Sequence, residues 1–198
     1  MKSLVYDKIR LGVAVLLYLC ATSWADAKVK LPALISDGMV LQREQSVKVW
    51  GTADAGENIT IEFQKKSYHA TADANGQWSI TLPPLKAGGP FLMQINDIKL
   101  NDILVGDVWL CSGQSNMELP VKRVMDMFSN EILNYNNEKI RHILIPQKYN
   151  FHAPQEEISA TSWKTLTQKN VMEFSALAYF FAKEMYEKTG IPVGLINS

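Results

Sequence analysis

Between Val47 and Ile95 apolar side chains recur at nearly every second position, and from Val105 onward that alternation stops. Val47-Lys48-Val49-Trp50-Gly51, Ile59-Thr60-Ile61-Glu62-Phe63 and Trp78-Ser79-Ile80-Thr81-Leu82 each carry the period of a strand with one buried face. Tyr68-His69-Ala70-Thr71-Ala72 and Phe91-Leu92-Met93-Gln94-Ile95 complete the set. Turn chemistry separates them. Asp54-Ala55-Gly56-Glu57 and Asp73-Ala74-Asn75-Gly76 offer glycines for left-handed backbone. Pro83-Pro84 ends a strand because proline has no N–H for the ladder, and Lys86-Ala87-Gly88-Gly89-Pro90 reads as a loop. Short strands at this spacing predict a small antiparallel β-sandwich over 28–104, jelly-roll or immunoglobulin-like in form.

The second part, 105–198, has an α/β texture. Val105-Gly106-Asp107-Val108-Trp109-Leu110-Cys111 is a near-continuous apolar strand, the kind buried on both faces of a parallel sheet. Pro120 suits a first helical turn, Ile140 to Ile145 forms a second strand, and Ser162-Trp163-Lys164 is short and extended. Phe174 to Lys188 is the clearest helix, with Leu177, Phe180, Phe181, Ala182, Met185 and Tyr186 on its inner face and Lys183, Glu184, Glu187 and Lys188 outside. Gly190 stops it, and Ile191 to Asn197 forms another buried strand. The alternation predicts an open, mostly parallel sheet.

The first residues have a different purpose. Lys2, Lys8 and Arg10 precede the apolar run Leu11 to Ala21, and Ala25-Asp26-Ala27 offers a cleavage site, so 1–27 reads as a signal peptide. The run is too short to span a bilayer, and Leu19 is too bulky for a lipoprotein motif at Cys20. A secreted or periplasmic protein without a membrane segment is therefore expected. Removal of 1–27 leaves a net charge of about −1, too balanced to suggest a nucleic-acid partner. One cysteine then remains, Cys111, expected to be a buried small hydrophobe. His69, His142, His152 and Cys111 lack ligand spacing, so no metal or other cofactor is expected. Asp73 to Gly76 lacks the later glutamate of a calcium loop and reads as a hairpin turn.

The chemistry concentrates where the Val105 strand ends, in Ser112-Gly113-Gln114-Ser115-Asn116-Met117. A serine oxygen attacks an ester when a base takes its proton and donors hold the oxyanion. A rigid strand running into a tight turn aims such a hydroxyl outward, and Gly113 eases the turn. The Ser115 N–H and the Asn116 amide are candidate oxyanion donors, with Gln114 beside them. The other reading is a polar turn capping the next helix, a role Ser and Asn favour.

Leu110-Cys111-Ser112-Gly113-Gln114-Ser115-Asn116-Met117 resembles the nucleophile block of the sialate O-acetylesterase family, a branch of the SGNH (GDSL-like) hydrolases. Ser36-Asp37-Gly38-Met39-Val40-Leu41-Gln42-Arg43 resembles the opening of that family's N-terminal β domain. Phe174 to Ala182 and Pro192 to Ser198 are similar to the helix and strand before its second block. The resemblance implies a flavodoxin-like SGNH sheet after the sandwich, with Ser115 as nucleophile and its N–H in the oxyanion hole. It implies a carboxylic ester hydrolase removing O-acetyl groups from sialic acids or related acetylated glycans.

Family members continue into a Trp-Gly-Gly segment, a Gln-Gly-Glu-x-Asn block and a late Asp-x-x-His pair, which this sequence lacks. His142 and His152 follow Lys139 and Tyr149 by three residues, not Asp, so no histidine is carried over. The chain is expected to be the N-terminal part of such an esterase, negligibly active alone, with Val193 to Ile196 exposed at an unfinished sheet edge. The competing expectations are a carbohydrate-binding or scaffold module, using Trp50, Trp78 or Tyr68 against sugar rings, and a degraded remnant.

Overall fold

The computed structural model describes residues 29–148, 151–153, 158 and 161–198; the expected signal segment lies outside them. Seven strands form the first half: β1 (Val40–Gln42), β2 (Val47–Thr52), β3 (Asn58–Phe63), β4 (Lys66–Thr71), β5 (Gln77–Leu82), β6 (Gly88–Ile95) and β7 (Ile98–Cys111). β2 to β6 follow the alternating stretches, though β6 begins inside the expected loop; β1 was not anticipated as a strand, and β7 begins seven residues early. The Asp73 turn forms as expected, its carboxylate accepting from the N–H groups of Asn75 and Gln77. The antiparallel pair β2–β5 presents Val49, Trp78, Ile80 and Leu82 to a core shared with Ile59, Ile61, Phe63, Met93 and Ile95. The tight alternation of β5, exposed at Gln77, Ser79 and Thr81 and buried between them, follows from covering one face only.

The decisive element is β7. Its first part pairs antiparallel with β6 and its middle pairs parallel with β1. Its last five residues pair parallel with β10 (Val193–Asn197). One strand therefore belongs to both halves, and the boundary expected between 104 and 105 falls inside it. The sheet runs β4-β3-β6-β7-β10-β8-β9, with β8 (Asn137–Leu144) parallel to β10 and β9 (Lys164–Leu166) antiparallel at the edge. A flavodoxin-like order would place the first parallel strand between the next two. Here β10 takes that middle place, so the expected order is corrected to β7-β10-β8.

This order also corrects the expectation of an exposed Val193 to Ile196. Flanked on both sides, β10 has Val193, Gly194 and Leu195 fully buried. The open edge is instead on β7 beyond Gly106, where Leu110 is 70 % exposed and Trp109 43 %. Burial of β7 on both faces thus stops at Gly106. There the Val108 N–H is taken by the Gln42 side-chain oxygen at 2.8 Å, which occupies the place of a neighbouring strand's carbonyl.

Three helices accompany the second half: α1 (Ser115–Glu118), α2 (Met125–Leu133) and α3 (Ala176–Thr189). Pro120 precedes a 3₁₀ turn, Val121–Arg123, rather than opening a long helix. Ser175 caps α3 by accepting from the Ala178 N–H, and Gly190 ends it at φ 67°. The buried face of α3 keeps Ala182 and, half-buried, Phe180, Met185 and Tyr186 from the expected set, but not Leu177 or Phe181. Ala176, Ala178, Tyr179 and Ala182 are buried, whereas Leu177 is exposed and Phe181 sits at the rim against Trp109. Alanines let the helix approach the sheet closely, which displaces the bulkier side chains to its flanks. Lys183 is not on a solvated face either: it bridges Glu131 of α2 and Glu187.

Two glycines are dictated by close approach. A Cβ on Gly106 would collide with the Pro192 carbonyl oxygen, and one on Gly194 would lie 2.7 Å from Val40 Cβ. Gly106→Ala is expected to destabilise the chain by more than about 3 kcal/mol, because backbone must move to admit the methyl. Gly56→Ala meets nothing and bears only the cost of φ 82°, about 1 kcal/mol. Urea denaturation of the two variants checks this contrast.

Candidate active site

The parallel strands β7, β10 and β8 end in register at Cys111, Asn197 and Leu144. Ligands of open α/β sheets bind beyond such carboxyl ends. Cys111 is buried, as expected, and burial pushes its thiol pKa up, away from a reactive thiolate. The chain then leaves the sheet through Ser112 and Gly113 and enters α1, with Ser115 as its first residue. A Cβ on Gly113 would lie 3.2 Å from Met117 Cβ, so glycine keeps this turn tight.

Gln114, Ser115 and Asn116 are all exposed on this turn. Gln114 occupies the cap position and its side chain makes no cap hydrogen bond. Its carbonyl accepts from the N–H groups of Met117 and Glu118, which starts the helical turn. Gln114 of this polar turn holds the cap position, and neither Ser115 nor Asn116 caps the helix by its side chain. Among the described residues, the Ser115 hydroxyl and the N–H groups of Ser115 and Asn116 have no hydrogen-bond partner. An exposed hydroxyl beside two unspent backbone donors is the arrangement that acyl transfer uses.

The turn is held by α3. The Leu119 carbonyl accepts from Ala176 N–H at 2.8 Å, and the Phe174 carbonyl from Val121 N–H at 2.9 Å. Ser175 Oγ donates to Met117 Sδ at 3.5 Å, and Gln147 reaches Glu118 at 2.6 Å. Ser115 borders a depression of about 250 Å³ with Glu118, Pro120 and Lys122. Those three residues also border a cleft of about 450 Å³ over the ends of β8 and β10, lined further by Ser175 and Asn197. Asn197 is 6 % exposed and its Oδ1 has no partner among the described residues.

Most of the residues that steady this site from the other half lie in the Ser36 to Arg43 segment, which the sequence marked by resemblance without giving it a structural role. Asp37 accepts from Asn101 N–H at 2.6 Å, and Gly38 N–H donates back to the Asn101 carbonyl. Gln42 takes the Val108 N–H, and Arg43 Nε donates to Asp107 at 2.8 Å. That carboxylate hydrogen bond raises the Arg43 pKa further above its ordinary value. The buried Arg141 of β8 pairs with Asp102 of β7 at 2.8 Å. Asp107 and Arg141 carried a usable signal: a charge inside an apolar strand requires a partner.

Neither His69 nor His142 is bonded to Ser115. His69 lies on exposed β4 beside Thr60, as its alternating strand predicted. His142 is 2 % exposed, stacks on Phe174 at 4.4 Å and leaves Nε2 unpartnered. Burial, with Lys164 adding repulsion, pushes its pKa down to about 4. Trp78, a candidate for stacking on sugars, is 4 % exposed and belongs to the core.

Over most of its length the chain is similar to known acetylesterases. No family model matches the chain. A carbohydrate acetylesterase from Xanthomonas citri superimposes with a TM-score of 0.81 and 39 % identity over 86 % of this chain and 40 % of its own. The resemblance to sialate O-acetylesterases holds over nearly the whole chain. The Homo sapiens protein is 29 % identical over 95 % of this chain and 40 % of its own length. The Mus musculus protein is 27 % identical over 94 % and 38 %. The chain thus spans about 40 % of the length of these relatives.

The His142 environment yields a pH dependence. An unfolded histidine titrates near its ordinary 6.5, whereas the folded one resists protonation down to about 4. The native state thus binds fewer protons between these values. His142 costs no stability above pH 6.5, and stability falls as the pH drops toward 4, by about 3 kcal/mol at the lower end. His142→Phe is expected to flatten that part of the profile, read from urea midpoints between pH 7 and pH 4 (order-of-magnitude range).

Proposed function

We propose that this chain carries the nucleophile segment of a carbohydrate acetylesterase, with Ser115 as the attacking residue. The observation that carries the reading is the exposed, unpartnered Ser115 hydroxyl at the end of β7, in a fold similar to a carbohydrate acetylesterase. In the reaction Ser115 Oγ bonds to the acetyl carbonyl carbon while its proton passes to a base. The N–H groups of Ser115 and Asn116 receive the oxyanion, with Gln114 and the Asn116 side chain bordering the substrate. The sugar oxygen then leaves with a proton, and water releases acetate from the acyl-serine. O-acetylated sialic acid is one substrate of this class, and related acetylated glycans are the wider one. The basic start and the apolar Leu11 to Ala21 run support export to the periplasm or beyond.

Neither His69 nor His142 is placed to serve Ser115 as a base. Losing the base of a serine hydrolase typically costs on the order of 10⁴–10⁶ in rate. The chain by itself is therefore expected to hydrolyse p-nitrophenyl acetate no faster than its Ser115→Ala variant. Added imidazole supplies a diffusible base. It is expected to produce an acetylated Ser115, visible by mass spectrometry, and turnover above that of Ser115→Ala. Equal rates and no adduct in imidazole would exclude Ser115 as nucleophile. Acetate release from O-acetylated sialic acid against acetylated xylan, under the same rescue, reads the substrate preference.

A further inference from the structure

A cleft that shares no lining residue with the Ser115 site lies on the outer face of β2–β5. It holds about 1130 Å³ and is bordered by Lys30, Trp50, Thr52, Asn75, Gln77 and Thr161. We propose that it binds a sugar unit of a glycan chain, stacked on the Trp50 indole and hydrogen-bonded by the surrounding amides.

The placement of Trp50 follows from strand period. Val49 and Gly51 face the core, which turns Trp50 and Thr52 outward, opposite Ser79 and Gln77 of β5. Trp50 is half-buried: its body packs on the core while part of the ring remains open to the cleft. Sugar rings present C–H faces that pack on an aromatic surface and hydroxyls at the rim that need donors and acceptors. Sites of this kind combine an apolar platform with a few convergent polar groups.

Those polar groups are present and unspent. Among the described residues, the Trp50 indole N–H, the Thr52 hydroxyl, the side-chain amides of Asn75 and Gln77 and the Lys30 ammonium make no hydrogen bond or ion pair within the protein. Asn75 and Gln77 engage Asp73 through backbone N–H only, which leaves their side chains free. Among the described residues no carboxylate borders the cleft.

The walls are also pre-set. Lys30 and Thr52 exchange two backbone hydrogen bonds of 2.8 and 2.9 Å. Ala53 N–H donates to the Gly76 carbonyl at 2.9 Å, and Gly76 adopts φ 74° against Ala53. Three chain segments are thereby fixed around Trp50 before any ligand arrives, which lowers the ordering cost of binding. The site is separate from Ser115 and does not depend on the esterase reading.

Isothermal titration of the whole chain with lactose, sialyllactose and a xylo-oligosaccharide tests it. Binding of at least one sugar with a Kd on the order of 1 mM is expected, weakened about tenfold or more by Trp50→Ala. Gln77→Ala, on the exposed face of β5, is expected to weaken it several-fold and serves where Trp50→Ala fails to fold. Glu62→Ala, exposed on β3 and bordering neither site, should bind as the parent does. The titration reads no acetyl transfer, so failure of the acetylesterase reading leaves this result intact. No binding of any of the three sugars, or binding indifferent to both cleft variants, overturns the proposal.

Discussion

The pairing of β7 on both its edges is the constraint from which the rest follows. Its hydrogen-bonding groups alternate sides, and each side changes partner along the strand: β6 gives way to β10, and β1 gives way to the Gln42 amide. The strand can serve both halves only because glycine stands where the partners change over, at Gly106 against Pro192. The chemistry of the serine turn is thus aimed by a rail whose other end is built into the first core.

The Ser36 to Arg43 segment acquires a physical meaning from this. Asp37 and Gly38 clasp Asn101, Met39 to Leu41 are buried against the strand, and Gln42 and Arg43 take hold of Val108 and Asp107. Asp102 repeats the device on the far side by neutralising the buried Arg141 of β8. A buried guanidinium without its carboxylate would be strongly unfavourable, so the pair holds β7 and β8 to one arrangement rather than adding much net stability.

The sequence was most legible where a local rule decides. Period-two alternation located the strands, Asp73 and Gly76 fixed the hairpin, and Gly190 marked the end of α3. It was least legible where long-range pairing decides. Nothing local says that β10 inserts between β7 and β8, or that Gln42 substitutes for a strand at Val108. The inner face of α3 was misread at Leu177 and Phe181, where hydrophobicity points inward, while close packing selects Ala176, Ala178 and Tyr179 beside the expected Ala182. At the site, the position of Ser115 was legible from the strand-to-turn change. The anchoring of its turn on Ser175 and Leu119 joins residues more than fifty positions apart and left no local mark.

The Gln42 amide at the open edge of β7 has a consequence for how such a chain can be recombined. A module joined by a linker can be cut out, exchanged or fused at the seam. Here the seam is a hydrogen-bonded strand whose neighbour on one side is partly a side chain. A breakpoint anywhere from Ile98 to Cys111 would strip one half of its wall and the other of its first strand. The two halves therefore have to be engineered as one unit, and a transplanted serine segment must bring β1 and β6 with it.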